Sequence, residues 1–183
     1  MNWQAARDAF AQGELLAYPT EAVFGLGCDP RNEAAVKKLL TLKQRPLNKG
    51  LILVAADYSQ LVRFVADSKI PQDKRFTVFS SWPGHITLLL PAAPETPEWL
   101  TGGRPQIAVR VTAHEPTRQL CKALGSAIVS TSANLAGQPS LTSAAEVEAV
   151  FGDQLGWVMD AEIGRAGSPS KIIDPLTQEV FRA

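Results

Sequence analysis

Five short apolar runs limit what this chain can fold into. Residues 15–18, 51–55, 86–90, 107–111 and 127–130 are each four or five residues long and almost entirely apolar. Such runs are far too short to span a bilayer, which takes about 20 apolar residues. Because they are continuous rather than strictly alternating, they match strands covered on both faces. Helical patterns lie between them. Residues 2–12 put Trp3, Ala6 and Phe10 on one face and stop at Gly13. Asn32 can cap a helix running to about Lys43, with Val36, Leu39 and Leu40 inward. Tyr58, Leu61, Val62 and Val65 follow i, i+3, i+4, i+7 and predict a helix. Further helices are expected from Pro71 to about Trp82, from Pro116 to about Gly125, and from the Ser143–Glu146 capping box through Phe151. Residues 91–105 hold four prolines and two glycines and read as a long loop. Short strands are expected near 157–159, 171–173 and 179–181. The alternation is irregular, and some strands follow one another directly. This predicts an α/β fold with an open, mixed sheet rather than strict double winding.

The 183 residues, 45% of them hydrophobic, suit one compact domain spanning 1–183. Residues 1–10 carry Arg7 and Asp8 and no signal-peptide core, so a cytoplasmic location is expected. Cys28 and Cys121 are far apart, and with only His85 and His114 beside them they predict reduced thiols rather than a zinc site. Eighteen basic and eighteen acidic residues cancel, yet residues 36–50 hold five cations and no acid. That segment is either a solvated face or a phosphate-binding surface.

The familiar nucleotide motifs are missing. Gly25-Leu26-Gly27 begins a GxGxxG but meets Pro30 at the third position, and there is no P-loop. Three polar segments instead stand beside the apolar strands, where ligand sites tend to lie. In the first, Pro19 gives the Thr20 hydroxyl a defined direction; a turn or cap is the alternative. In the second, Lys43 and Arg45 are two apart before Pro46, which predicts an extended stretch with both cations on one side, suited to a polyphosphate. The third, residues 130–140, offers Ser132, Asn134 and Ser140 among small residues. Arg110 lies inside an apolar run, sharing a face with Ala108, and needs a protein carboxylate or a ligand anion. Ser168-Pro169-Ser170-Lys171 formally matches the S-x-x-K of serine acyl enzymes but lacks the accompanying signatures.

Together, the Pro19-Thr20-Glu21 segment before a glycine pair, the KxRP cations and the Ser132-Ala133-Asn134 loop resemble the YrdC family of threonylcarbamoyl-AMP synthases. Ser81-Trp82-Pro83-Gly84 followed by Thr87, and Ala108-Val109-Arg110, resemble further family segments. The likeness runs in order over nearly the whole chain and is strongest to the short, single-domain bacterial branch often called TsaC. It implies a twisted mixed sheet with a large cationic cavity. The implied reaction joins L-threonine, bicarbonate and ATP, with Mg²⁺ on the ATP, to give threonylcarbamoyl-AMP and pyrophosphate. A downstream threonylcarbamoyl transferase complex is the implied partner, with tRNA as its target and a direct tRNA contact open; no membrane is involved. Carried over, Thr20, Arg110 and Ser170 would hold L-threonine. Lys43 and Arg45 would meet the ATP phosphates and stabilise charge, and Ser132, Asn134, Ser140 and Arg182 would line the nucleotide. No covalent nucleophile is implied. The chain departs from longer relatives at Val54, where they have a histidine that contacts threonine, at Ala22, and at Ser170-Lys171-Ile172. A non-catalytic RNA-binding module using residues 37–49 is the alternative reading.

Overall fold

The computed structural model describes residues 1–183. Its strands are β1 (Leu16–Pro19), β2 (Phe24–Gly27), β3 (Ile52–Ala55), β4 (Ile86–Pro91), β5 (Gln106–Val111), β6 (Ile128–Ser132), β7 (Trp157–Val158), β8 (Lys171–Ile173) and β9 (Val180–Arg182). Its helices are α1 (Trp3–Ala11), α2 (Glu33–Leu42), α3 (Gln72–Ser80), α4 (Glu98–Thr101), α5 (Glu115–Leu124) and α6 (Ala144–Phe151). The strands form one mixed sheet in the order β7-β1-β2-β6-β3-β5-β4-β8-β9. The β1–β7, β3–β5 and β4–β8 pairs are parallel and the others antiparallel. No helix is long and apolar enough to cross a membrane.

Side chains alternate across the sheet, and the two faces are covered very differently. Ala17, Phe24, Leu26, Leu53, Ala55, Ile107, Val109 and Val129 point to one face, into a cluster of 28 buried residues. There α2 contributes Val36, Leu39 and Leu40, α3 Val78, α4 Leu100, and α6 Val147 and Phe151. Each such fully buried aliphatic or aromatic side chain contributes about 1.5–3 kcal/mol. Leu16, Tyr18, Val54 and Ile128 point the other way, into a cluster of 11 completed by Ala6, Ala9 and Phe10 of α1 and by Leu120 and Cys121 of α5. Two helices do not cover that face. Past them it stays open around Gly25, Ser130, Ser132, Ile52, Ala108 and Arg110, the floor of the cavity described below.

The local signals account for most elements. Asn2 and Asn32 accept hydrogen bonds from Ala5 and Ala35 and cap α1 and α2. Pro116 sits in the first turn of α5, which Gly125 ends in the left-handed region. Ser143 and Glu146 form the full capping box of α6.

Three expectations are corrected. Residues 58–65 make a single 3₁₀ turn, Tyr58–Gln60, and then irregular turns. The backbone groups a helix would have used bond across to β4 and beyond, Ala66 N to Pro91 O and Ala93 N to Phe64 O. Val62 is left exposed. The loop 91–105 contains the short helix α4, which begins after Pro97. The Lys43-Gln44-Arg45 stretch is not extended. Lys43 closes α2 and Gln44 takes a φ of 48°, so the two-residue alternation of an extended strand does not place these cations.

The sequence reading also passed over β2, whose glycines hide it. Tyr18 lies across this strand, donating its buried hydroxyl to Val129 O at 2.8 Å. A Cβ at Gly27 would stand 1.9 Å from that carbonyl oxygen and 3.1 Å from the Tyr18 ring.

Candidate functional site

A cavity of about 200 Å³ opens over the uncovered part of the sheet. Its walls bring together seven of the nine residues singled out from sequence: Thr20, Arg45, Arg110, Ser132, Ser140, Ser170 and Arg182. They come from β5, β6, β9 and four loops, and span most of the chain. A second lobe of about 340 Å³ continues over the same sheet face, sharing Arg45 and Arg182 and adding Lys49 and Arg104 above an apolar floor of Leu89, Ala108, Ile172 and Phe181.

Lys43 and Asn134 stand just behind the wall. Lys43 Nζ donates to Asn134 O at 2.6 Å and to Asn134 Oδ1 at 2.7 Å. Ser132 donates to the same Oδ1 at 2.7 Å. The lysine thus reaches the cavity through a relay of short polar side chains. Burial, helped by Arg45, lowers its pKa from 10.5 to about 8. Arg45 folds back on the loop, donating through Nε and Nη2 to Gly50 O at 3.2 and 2.9 Å. Burial and the nearby Arg104 lower its pKa. Of the other cations in residues 36–50, Lys37 pairs with Glu33 at 2.7 Å, Lys38 pairs with Glu14 at 2.6 Å, and Lys49 is exposed. The basic segment therefore splits. Its helical part is a solvated face, and its C-terminal part turns inward.

Arg110 meets the first of the two alternatives that its position raised, a protein carboxylate. Its Nη1 donates to Glu21 Oε2 at 2.5 Å, a buried ion pair. Glu21 accepts a second bond from the Thr112 hydroxyl at 2.5 Å. Burial on its own would raise the Glu21 pKa; the Arg110 guanidinium and the Thr112 hydroxyl outweigh it and hold the carboxyl below its ordinary 4.5. Arg110 Nε has no partner although it is buried. The side chain lines the cavity with part of its fork unsatisfied.

Thr20 is held in a tight turn, its hydroxyl donating to Val23 O at 2.7 Å, and keeps its lone pairs for an incoming donor. Ser170 lies between the Thr87 hydroxyl at 2.8 Å and Arg182 Nη2 at 3.0 Å. Arg182 also donates to Ser170 O at 2.8 Å, which ties the last strand to the cavity rim. Lys171 points to solvent and bonds neither Ser168 nor Ser170, so the formal S-x-x-K makes no serine–lysine pair. Val54 is wholly buried among apolar neighbours. Cys28 and Cys121 are reduced and buried, and burial pushes both thiols up to about 12. No three His, Cys, Asp or Glu side chains gather as a metal cage.

Sequence reasoning assigned no role to Glu21 or His85. Glu21 stood in a segment already singled out, and the need of Arg110 for a carboxylate was the available signal. His85 carried no signal of its own, because only the chain's return through Ser168 brings it to the wall.

A family model described as Telomere recombination, Sua5_yciO_yrdC, matches residues 8–183. The threonylcarbamoyl-AMP synthase of Idiomarina loihiensis is 62% identical over 181 residues, covering 99% of this chain and 97% of its own. That of Klebsiella pneumoniae is 54% identical over 168 residues, covering 92% and 88%. Among solved structures, P. abyssi Sua5 complexed with L-threonine superposes with a TM-score of 0.85 at 35% identity, over 95% of this chain and 51% of that one. The chain thus spans about half the length of that Sua5. E. coli YciO shares the fold, with a TM-score of 0.84 at 24% identity, covering 98% of this chain and 87% of that one.

Proposed function

The chain belongs to the Sua5/YciO/YrdC family, and from that membership we propose that it condenses L-threonine, bicarbonate and ATP to threonylcarbamoyl-AMP and pyrophosphate. The product would carry the threonylcarbamoyl group to a tRNA adenosine through a partner transferase, in the cytoplasm, with residues 1–183 working as one catalytic unit. The observation that carries the reading is the cavity itself. Three arginines and a ring of hydroxyls surround it, and no nucleophile stands beside a base.

That composition suits a reaction between anions. Once threonine has become a carbamate, one of its oxygens attacks the α-phosphorus and pyrophosphate leaves. No protein nucleophile is required. The site must bring like charges together and stabilise the charge that develops. The free part of the Arg110 fork would take the threonine carboxylate in a bidentate pair, its other nitrogen anchored by Glu21. Thr20 and Ser170 would position the rest of the amino acid. Arg45, with Lys43 behind it, would meet the phosphates. Ser132, Asn134, Ser140 and Arg182 would hold the nucleotide. Glu21, engaged by Arg110 and Thr112, is not free to hold a metal ion, so Mg²⁺ enters as the counter-ion of ATP.

The RNA-binding reading loses support, because Lys37 and Lys38 are satisfied by surface carboxylates. The deciding experiment is pyrophosphate release with ATP and a panel of amino acids, with and without bicarbonate. Release that needs both L-threonine and bicarbonate is expected. ADP and phosphate as products would refute adenylate formation.

A further inference from the structure

One serine of the cavity wall is held so that only its proton is free. Side chains alternate along β4. Leu88 and Leu90 enter the larger core, whereas Leu89 faces the open side of the sheet and lines the second lobe. Thr87 shares the side of Leu89, yet it is wholly buried. Strand β8 runs parallel to β4, with Ile172 opposite Thr87. This brings Ser170 to the Thr87 hydroxyl at 2.8 Å, and Thr87 Oγ1 has no other hydrogen-bond partner. Arg182, on β9, approaches Ser170 Oγ with Nη2 at 3.0 Å. A guanidinium can only donate, so one lone pair of Ser170 Oγ is taken. If Ser170 also donated to Thr87, the Thr87 proton would be left in the interior with no acceptor. A buried donor without an acceptor costs more than an ordinary hydrogen bond contributes. Thr87 therefore donates to Ser170. Both lone pairs of Ser170 Oγ are then filled, and its own proton has only the cavity to turn to. Thr20, in the same wall, is committed the opposite way. Its proton goes to Val23 O and its lone pairs stay free.

We propose that Thr87 is a positioning residue for the amino-acid substrate: it commits Ser170 to donate its proton to an oxygen of the bound amino acid. The inference rests on the reading above that Ser170 meets L-threonine. Thr87 itself touches no ligand, and its effect passes through one hydrogen bond. A carboxylate or hydroxyl oxygen fits at Ser170. An ammonium does not, because no lone pair is left to receive it. Thr20, with free lone pairs and no free proton, suits the donating groups of the same ligand. The wall thus has a hydrogen-bonding polarity, fixed before the ligand arrives, and this polarity allows an amino acid to sit in one orientation. Such preorganisation contributes to rate because the reacting groups are aligned on binding.

Thr87→Val keeps the branched shape and the strand preference and removes the donor. One lone pair of Ser170 is then vacant, and its proton can rotate away from the cavity. With pyrophosphate release as the readout, the KM for threonine should rise about fivefold or more. The KM for ATP should stay within about twofold. Thr87→Ser restores the donor and should bring the threonine KM back to within about twofold of the unmodified protein. Ser170→Ala should raise the threonine KM as well. Adding Thr87→Val to Ser170→Ala should then change nothing further, because both remove the same interaction. Four results would each overturn the proposal: an unchanged threonine KM in Thr87→Val, equal rises for threonine and ATP, no rescue by serine, or additive effects in the double variant. If Thr87→Val does not fold, Thr87→Ala carries the same expectations. If the unmodified protein shows no threonine-dependent pyrophosphate release, the adenylate reading itself falls and this inference with it.

Discussion

Arg110 is asked to be both anchored and available, and Glu21 is what allows this. Glu21→Gln should break a buried ion pair at a cost of about 3 kcal/mol or more, lowering the melting temperature by about 6 °C or more in a chain of this size. The pH dependence follows from the lowered Glu21 pKa. A carboxyl held below its unfolded value adds stability that is full above about pH 4.5 and is lost as pH falls through the folded pKa. Melting temperatures of the unmodified protein should therefore drop more steeply below pH 4.5 than those of Glu21→Gln. Lys43 behaves in the opposite sense. Its pKa is lowered to about 8, so it loses its charge as pH rises past that point. The kcat/KM for ATP should decline there, and Lys43→Arg should flatten the decline, since a guanidinium stays charged. Folding stability should instead rise between pH 8 and 10.5, where the unfolded chain still binds the proton. Lys43→Ala should cost ATP about 30-fold or more in kcat/KM. Single positions were legible where a polar residue broke an apolar run, as at Arg110. They were illegible where the partner came from afar, as with Ser168 for His85.

At the level of elements, chain signals worked where the hydrogen bonds close locally. Asn32, Gly125 and the Ser143–Glu146 box announce helix ends because their partners lie within four residues. Ser143→Ala should cost about 1 kcal/mol, visible as a small fall in the urea midpoint with an unchanged slope. The helix expected over residues 58–65 failed for the converse reason. Its apolar spacing is real, but Tyr58 bonds Asp67 and the backbone of residues 64–66 is claimed by residues 91–93. Strand β2 was hidden by glycines that serve packing rather than a phosphate loop. Gly27→Ala should push Val129 or Tyr18 out of place. We expect it to leave little folded protein, measured by near-ultraviolet circular dichroism, whereas Gly125→Ala, with open space around it but a φ of 64°, should only weaken the end of α5.

At the scale of the whole molecule, a mixed sheet was legible because some apolar runs follow one another without a helix. The strand order was not, since it is set by pairings such as Leu16 with Trp157 and Ile172 with Arg182. Nor did periodicity reveal that one sheet face carries 28 buried residues and the other only 11. That imbalance is what leaves room for a ligand. It also sets an order in time. Thr20 leaves a ribosome long before Arg182, yet both line the same hollow. β1 must wait for Trp157 before its outer edge is paired. Pairings so distant in the chain are slow to form, and until they do, a nascent chain exposes unpaired strand edges. A growing polypeptide therefore cannot bind its substrates early. Ligands can stabilise only the finished molecule, and added threonine or ATP should slow its unfolding without hastening its birth.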